Sequence, residues 1–307
     1  MDLNLIQAFV DIVDAGNLAE AGRRRGVTRS QVSRQLRELE AQSGAQLMRR
    51  TTRRLELTEP GHALYRHGLA ILREVASAQA EIDSLGKTLR GHVRLSVPTG
   101  LGDSFVAPLL LAFAERHPGI TLRVFFNNRV NDLIAAEIDV ALKVTSQPPL
   151  DHVARDVCAI EWGLYAAPSY LERTGPIRVP ADLAATDFLC PPYFARPFEL
   201  HLTRGDQRDA VQLLPRLQSE HFPFLIRAVQ AGHGVCLLPV YAGWQDAHAG
   251  RLVKVLPDWR PEGLGDRLYL ITTPNPHPPM ATRALIDFLR EQIPALPVFR
   301  DAPDGCA

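Results

Sequence analysis

The chain has 307 residues, 46% of them hydrophobic and 22% charged, with 34 basic residues against 34 acidic ones. That composition excludes a disordered or collagen-like chain, and the length favours about two domains. Cys158, Cys190, Cys236 and Cys306 stand at no metal or redox spacing, which excludes a disulfide scaffold and a cysteine-based zinc site. The apolar runs are far shorter than the ~20 residues a spanning helix needs. Asp2, Asp11 and Asp14 stand where a signal peptide carries positive charge, so the expected location is the cytoplasm, with no membrane partner.

Leu5, Ile6, Phe9, Ile12 and Val13 recur at helical spacing and predict an amphipathic helix over residues 3–15, ended by Gly16. Asn17 to Glu20 has the form of a capping box opening a short helix over about 18–25, which stops at Gly26. Thr28 to Gln31 is a second capping box, opening a helix to about Ser43 with Val32, Leu36 and Leu39 as its buried stripe. Two capped helices around a short glycine-containing turn make a helix-turn-helix pattern. The open face of the second helix carries Arg29, Ser30, Ser33, Arg34 and Arg37, flanked by Gln31 and Gln35, and no acid before Glu38. Arginine pairs with guanine, glutamine with adenine, and serine or threonine with bases or phosphates. Segments 46–50 and 53–57 then predict a two-stranded wing with Arg53 or Arg54 near its tip.

Net neutrality hides a segregation: residues 22–55 hold ten arginines against Glu38 and Glu40. Such a block is an electrostatic footprint for a polyanion. The chain has only three lysines, Lys87, Lys143 and Lys254, so codon bias explains arginine over lysine but not the clustering.

The run AGRRRGVTRSQVSRQLRELEAQSGAQLMRRTTRRLELTEPG resembles the winged helix-turn-helix of LysR-type transcriptional regulators, and the likeness is nearly continuous over residues 1–61. The resemblance implies that Thr28, Arg29, Ser30, Gln31, Ser33, Arg34 and Gln35 line DNA, as does Arg53 of the wing. Met48 stands where the family usually has Phe, and Arg29 where many members have Ser or Gln.

From Thr58, a candidate N-cap before Pro60, a helix is expected to about Leu85. Leu64, Gly68, Ile71, Val75, Ala78, Ile82 and Leu85 fall at alternating four- and three-residue steps, an a/d seam. The seam fits either dimerisation, which the family resemblance supports, or packing on its own domain. Two paired heads read two half-sites, so an interrupted palindrome is the expected operator. Beyond the glycines at 86 and 91, strands are expected at 93–97, 120–126, 138–144, 161–167 and 269–272. Helices are expected over 99–115, 130–136, from Ser219 into a strand ending at Leu238, and over 280–292. Alternation of this kind means α/β units on a largely parallel sheet.

IDVALK, LYAAPSYL, PADLA, AVQAGHGVCLLP and GRLVKVLPDW again resemble LysR-type regulators. The implied architecture is an N-terminal all-α winged helix-turn-helix with a long linker helix. A C-terminal α/β two-lobed effector domain, like periplasmic binding proteins, follows. The expected boundaries are 1–59 for the DNA-binding domain, with its helix-turn-helix over about 18–37, and 60–88 for the linker helix. The effector domain is expected over 92–303, with lobe I over about 92–160 and 267–303 and lobe II over about 161–266. Ligands of such folds sit between lobes at the carboxyl ends of strands, and free helix-start amides suit an anionic effector. The matching positions are Thr99, Gly100, Leu101, Asn127, Asn128, Lys143, Thr145, Tyr193, His221 and Phe222. Thr99 and His221 could equally be helix caps, and Lys143 a solvated strand end.

The chain has no P-loop, GxSxG, HExxH or complete GxGxxG, since Gly100-Leu101-Gly102 runs on to Phe105. The expected protein is a DNA-binding regulator without catalytic residues, metal or cofactor. Its expected partners are promoter DNA, a second copy of itself (a tetramer in the resembled family), a small-molecule effector and RNA polymerase. A small-molecule binding protein with a vestigial DNA module and an α/β enzyme stay open as alternatives.

Overall fold

The computed structural model describes residues 1–50, 55–84, 89–128, 132–192, 194–275 and 278–300. It divides into two units, Met1–Thr88 and Leu89–Ala307.

In the first unit, α1 (Leu3–Ala15) starts at Asp2, whose side chain accepts from the Asn4 amide at 2.8 Å, and ends at Gly16 with φ 69°. Helices α2 (Leu18–Arg25) and α3 (Arg29–Ser43) follow. Asn17 caps α2, accepting from the Glu20 amide at 2.8 Å, but the Glu20 carboxylate turns to Arg23 and Arg24 instead of completing the expected box. Charge attraction on the helix surface outcompetes the return bond. Strands β1 (Met48–Arg50) and β2 (Leu55–Leu57) pair antiparallel, Met48 opposite Leu57. Helix α4 (Glu59–Ser84) opens at Thr58, whose hydroxyl accepts from the Gly61 amide at 3.1 Å and donates to the Gln46 carbonyl at 2.6 Å.

Leu5, Ile6, Phe9, Ile12, Val32, Leu36, Leu39 and Leu47 form the buried core of this unit, and Leu64, Tyr65 and Leu72 of α4 pack against it. Gly68 lets α4 approach α1 closely, since a Cβ there would stand 3.0 Å from Ile6 and 3.3 Å from Val10. The early part of the expected dimer seam, Leu64 and Gly68, is therefore spent inside its own domain.

The second unit runs β3 (Gly91–Val97), α5 (Thr99–Leu101), a π-turn (Gly102–Val106), α6 (Ala107–Arg116), β4 (Ile120–Phe126), β5 (Val140–Thr145), β6 (Val153–Ala159), β7 (Trp162–Ala166) and α7 (Pro168–Thr174). It continues through β8 (Phe188–Cys190), β9 (Phe198–Arg204), β10 (Gln207–Leu213), β11 (Pro215–Gln218), α8 (Phe222–Gln230), β12 (Val235–Pro239) and α9 (Val240–His248). Last come β13 (Val253–Val255), β14 (Arg260–Glu262), β15 (Arg267–Thr272), α10 (Met280–Gln292) and α11 (Pro297–Arg300).

One lobe is built on the sheet β4-β3-β5-β15-β6, the other on β11-β8-β12-β7-β13, with a three-stranded sheet β10-β9-β14 beside the latter. Each large sheet has three adjacent parallel strands, but β15 and β7 run antiparallel to their neighbours, so the sheets are mixed rather than largely parallel. Strands that enter from the other lobe come without a helical crossover, and only such crossovers impose parallel pairing. Two connecting segments run side by side between the lobes. The Ile160 amide donates to the Asp266 carbonyl at 2.7 Å, and Trp162 Nε1 to the Gly265 carbonyl at 2.7 Å.

The helix expected over 130–136 is not formed in its described part. Residues 133–137 are a turn, with Ala136 bonded to Asp132 and Ile138 to Leu133, and Glu137 at φ 56°. A segment so short gains too few backbone bonds to offset helix nucleation. Among the described residues no helix is long and apolar enough to cross a membrane.

Candidate nucleic-acid interface and ligand cleft

The turn before α3 is tight. Gly26 adopts φ 66°, the Val27 amide bonds the Gly22 carbonyl at 2.9 Å, and a Cβ on Gly22 would stand 2.8 Å from the Val27 oxygen. Thr28 then caps α3 by accepting from the Gln31 amide at 3.3 Å, while Gln31 Oε1 accepts from the Thr28 amide at 2.8 Å. Val32, Leu36 and Leu39 anchor the inner face, leaving Arg29, Ser30, Gln31, Arg34 and Arg37 exposed and Ser33 and Gln35 half-buried. Gln31 Oε1 is engaged by the cap, and Gln35 Oε1 is buried without a partner among the described residues. Neither glutamine offers both amide atoms to an adenine edge until its side chain rotates.

Folding sorts the basic block that the sequence presents as one cluster. Glu20 holds Arg23 and Arg24, and these guanidiniums keep its carboxyl below the usual carboxylate range. Arg25 pairs with Asp11 of α1, and Arg49 with Glu56 across the wing at 3.4 Å. Glu40 turns inward to accept from the Leu47 and Met48 amides at 2.9 and 3.2 Å. Among the described residues Arg29 and Arg34 meet no acid, and Arg37 reaches only the Ser33 carbonyl at 3.4 Å. The uncompensated charge is thus narrower than ten arginines, and it lies on the open face of α3. Arg53 and Arg54 fall outside the described residues.

On α4, Ile71 and Val75 are 41% and 46% exposed, whereas Leu64 packs on the core of its own unit. The Ile82 side chain and Leu85 lie outside the description.

In the second unit a cleft of about 500 Å³ opens at the carboxyl ends of β3, β4 and β5. Ser96, Asn127, Asn128, Lys143 and Thr145 line it from one lobe, and Phe222 of α8 and Tyr241 of α9 from the other. Trp162 and Gly265 of the connecting segments close its floor. Lys143 is half-buried and pairs with no carboxylate among the described residues. The Thr145 hydroxyl is taken by a local turn, donating to the Gln147 carbonyl at 3.0 Å.

The remaining expected positions fall elsewhere. Leu101 is fully buried in the core, and Gly100 lies beneath the Phe222 ring, 2.5 Å from where its Cβ would stand. Thr99 follows the N-cap Pro98, so it is no cap, and its amide donates to Asn128 Oδ1 at 3.0 Å. His221 occupies the N-cap position of α8 without a side-chain cap bond, and it is exposed outside the cleft lining. Tyr193 lies outside the described residues. Trp162 and Tyr241 carried no sequence signal, because nothing in their own neighbourhood marks the wall they complete. Among the described residues no group of three or more His, Cys, Asp or Glu could hold a metal ion.

Residues 3–62 match the family model for the bacterial regulatory helix-turn-helix protein of the lysR family, and residues 86–294 the model for the LysR substrate binding domain. The Probable HTH-type transcriptional regulator LtrA of Klebsiella pneumoniae is 31% identical over 301 residues, covering 96% of this chain and 97% of its own. The HTH-type transcriptional regulator PtxR of Pseudomonas aeruginosa is 29% identical, covering 95% and 93%. The full-length Vibrio cholerae virulence activator AphB superposes with a TM-score of 0.60 at 26% identity, over 94% of this chain and 98% of that one. With both family models matched in order over most of its length, the chain belongs to the LysR family, as a DNA-binding transcriptional regulator with an effector-binding domain.

Proposed function

We propose that α3 lies in the major groove of promoter DNA, with Arg29 and Arg34 as its principal contacts and the wing arginines on the adjoining backbone. Two copies paired through the exposed side of α4 present two such helices to an interrupted palindrome, and dimers join further into a tetramer. A small molecule in the cleft biases promoter occupancy by binding without turnover. Its anionic group meets Lys143, and its apolar part packs on Trp162, Phe222 and Tyr241. The protein works in the cytoplasm, and at the promoter its downstream partner is RNA polymerase. The observation that carries the DNA reading is the sorting of charge. The arginines of α2 and Arg49 of the wing are matched by acids, while among the described residues those on the open face of α3 are left for a polyanion.

Genome-wide mapping of bound sites identifies the operator, and titration of that fragment tests the interface. Affinity should fall with salt at a slope near −0.9 per phosphate neutralised. Arg34→Ala should cost roughly 1–3 kcal/mol of operator affinity. A salt-independent affinity, or an Arg34→Ala protein that binds as tightly as the parent, excludes this face as the contact.

A further inference from the structure

One side chain joins the two lobes at the mouth of the cleft. Asn128, just beyond β4, accepts at Oδ1 from the Thr99 amide at 3.0 Å and donates from Nδ2 to the Glu220 carbonyl at 3.2 Å. Thr99 begins α5 in the first lobe, and Glu220 precedes α8 in the second. The partners settle which way the carboxamide points, since an amide N–H needs the oxygen and a carbonyl needs the nitrogen. An apolar seam runs beside this bridge: Gly100 against Phe222, Phe105 edge-on to Trp244 at 6.2 Å, and Tyr241 near Phe299 at 6.5 Å. Apolar contact holds surfaces together without direction, whereas hydrogen bonds demand alignment. The seam keeps the lobes close, and a directional pair is needed to hold one rotation of α8 relative to α5.

We propose that Asn128 is an interlobe strap, a positioning residue that holds the start of α8 in register with the start of α5 while the cleft is empty. Asn128 and Glu220 both line the cleft, so a ligand group that competes for the Asn128 carboxamide breaks the arm to Glu220 and releases α8. This concerns regulation of the same cleft and rests on the effector reading for its purpose, though not for its geometry.

Hydrogen exchange read by mass spectrometry on the full-length protein, with neither DNA nor small molecule present, tests the strap. Asn128→Ala removes both arms. Asn128→Asp keeps an acceptor for Thr99 but sets an oxygen against the Glu220 carbonyl, so it cuts only the arm between lobes. Asn128 is exposed, so neither change disturbs the core. In both variants the first turn of α8, whose Phe224 and Leu225 amides bond the His221 carbonyl, should exchange faster, by up to about tenfold for loss of one hydrogen bond. Exchange in the buried strand β12 should stay unchanged. Parental exchange at the start of α8 in either variant overturns the strap, including the case where only the Thr99 end loosens. Failure of operator binding or of any effector response would instead remove the regulator reading and leave this result standing.

Discussion

Thr28 and Gln31 each serve the fold and the candidate interface at once. Their reciprocal bonds satisfy the Thr28 amide and give the Gln31 amide a side-chain acceptor besides the Thr28 carbonyl at 3.0 Å, while both residues sit on the exposed face proposed to meet DNA. Thr28→Ala should therefore lower the stability of the helical head by about 0.5–2 kcal/mol, measured by denaturant unfolding, and weaken operator binding with it. Undiminished stability would show that the hydroxyl adds nothing to the cap. This box was legible in the sequence because its chemistry spans four residues. The buried Oε1 of Gln35 was not, because which atom of a side chain faces inward depends on the helices packed against it.

Helix α4 shows how one element divides between two tasks. A seven-residue seam read from the sequence treats Leu64, Ile71 and Val75 alike, yet Leu64 lies against the core of α1 and α3 while Ile71 and Val75 face outward. The periodicity was right for a helix with a continuous apolar stripe; only the position of α1 decides where the stripe stops being core. Val75→Asp should accordingly abolish or weaken self-association, with the unfolding midpoint of the monomer unchanged. Sedimentation at several concentrations reads this, and a sedimentation profile like the parent's would take Val75 out of the pairing surface. In the α/β unit β3, β4, β5, β7, β12, β15 and α10 were readable from period and length, whereas β6, the short strands β8–β11, β13 and β14, and the helices α7 and α9 were not. Nor was the turn over 132–137, where the Asp132 carboxylate accepts from the Ala135 amide and the Ile138 amide donates to the Leu133 carbonyl, local bonds over too few residues to continue as a helix.

At the scale of the whole molecule, burial in the effector unit sets its response to alkali. Burial pushes the Cys158 thiol up to about 12, Cys190 to about 11 and the Tyr165 hydroxyl to about 12, and raises fully buried Cys236 as well. These groups stay neutral in the folded chain where the unfolded chain ionises them, so protons are held more tightly by the native state. Stability is then full below the ordinary thiol value of 9.0 and declines as pH rises above it. Urea unfolding on either side of that pH should show the decline in the effector unit, together with slow reaction of the three thiols with alkylating reagents at neutral pH. Rapid labelling of Cys190 or Cys236 in the native protein would contradict the burial.

The sequence by itself determined the helix-turn-helix with its cap residues, the two wing strands, the alternating α/β class of the second unit and the family, because spacing and capping act over a handful of neighbouring residues. It also placed Asn127, Asn128, Lys143 and Phe222 on the cleft. Only the tertiary structure decided which arginines keep their charge available, since Asp11 reaches Arg25 from another helix. It alone assembled the wall of Trp162 and Tyr241 and the Asn128 bridge, whose bonds span 29 and 92 residues. Such pairs exist only once long loops have closed and distant surfaces have met, and no local pattern encodes that meeting.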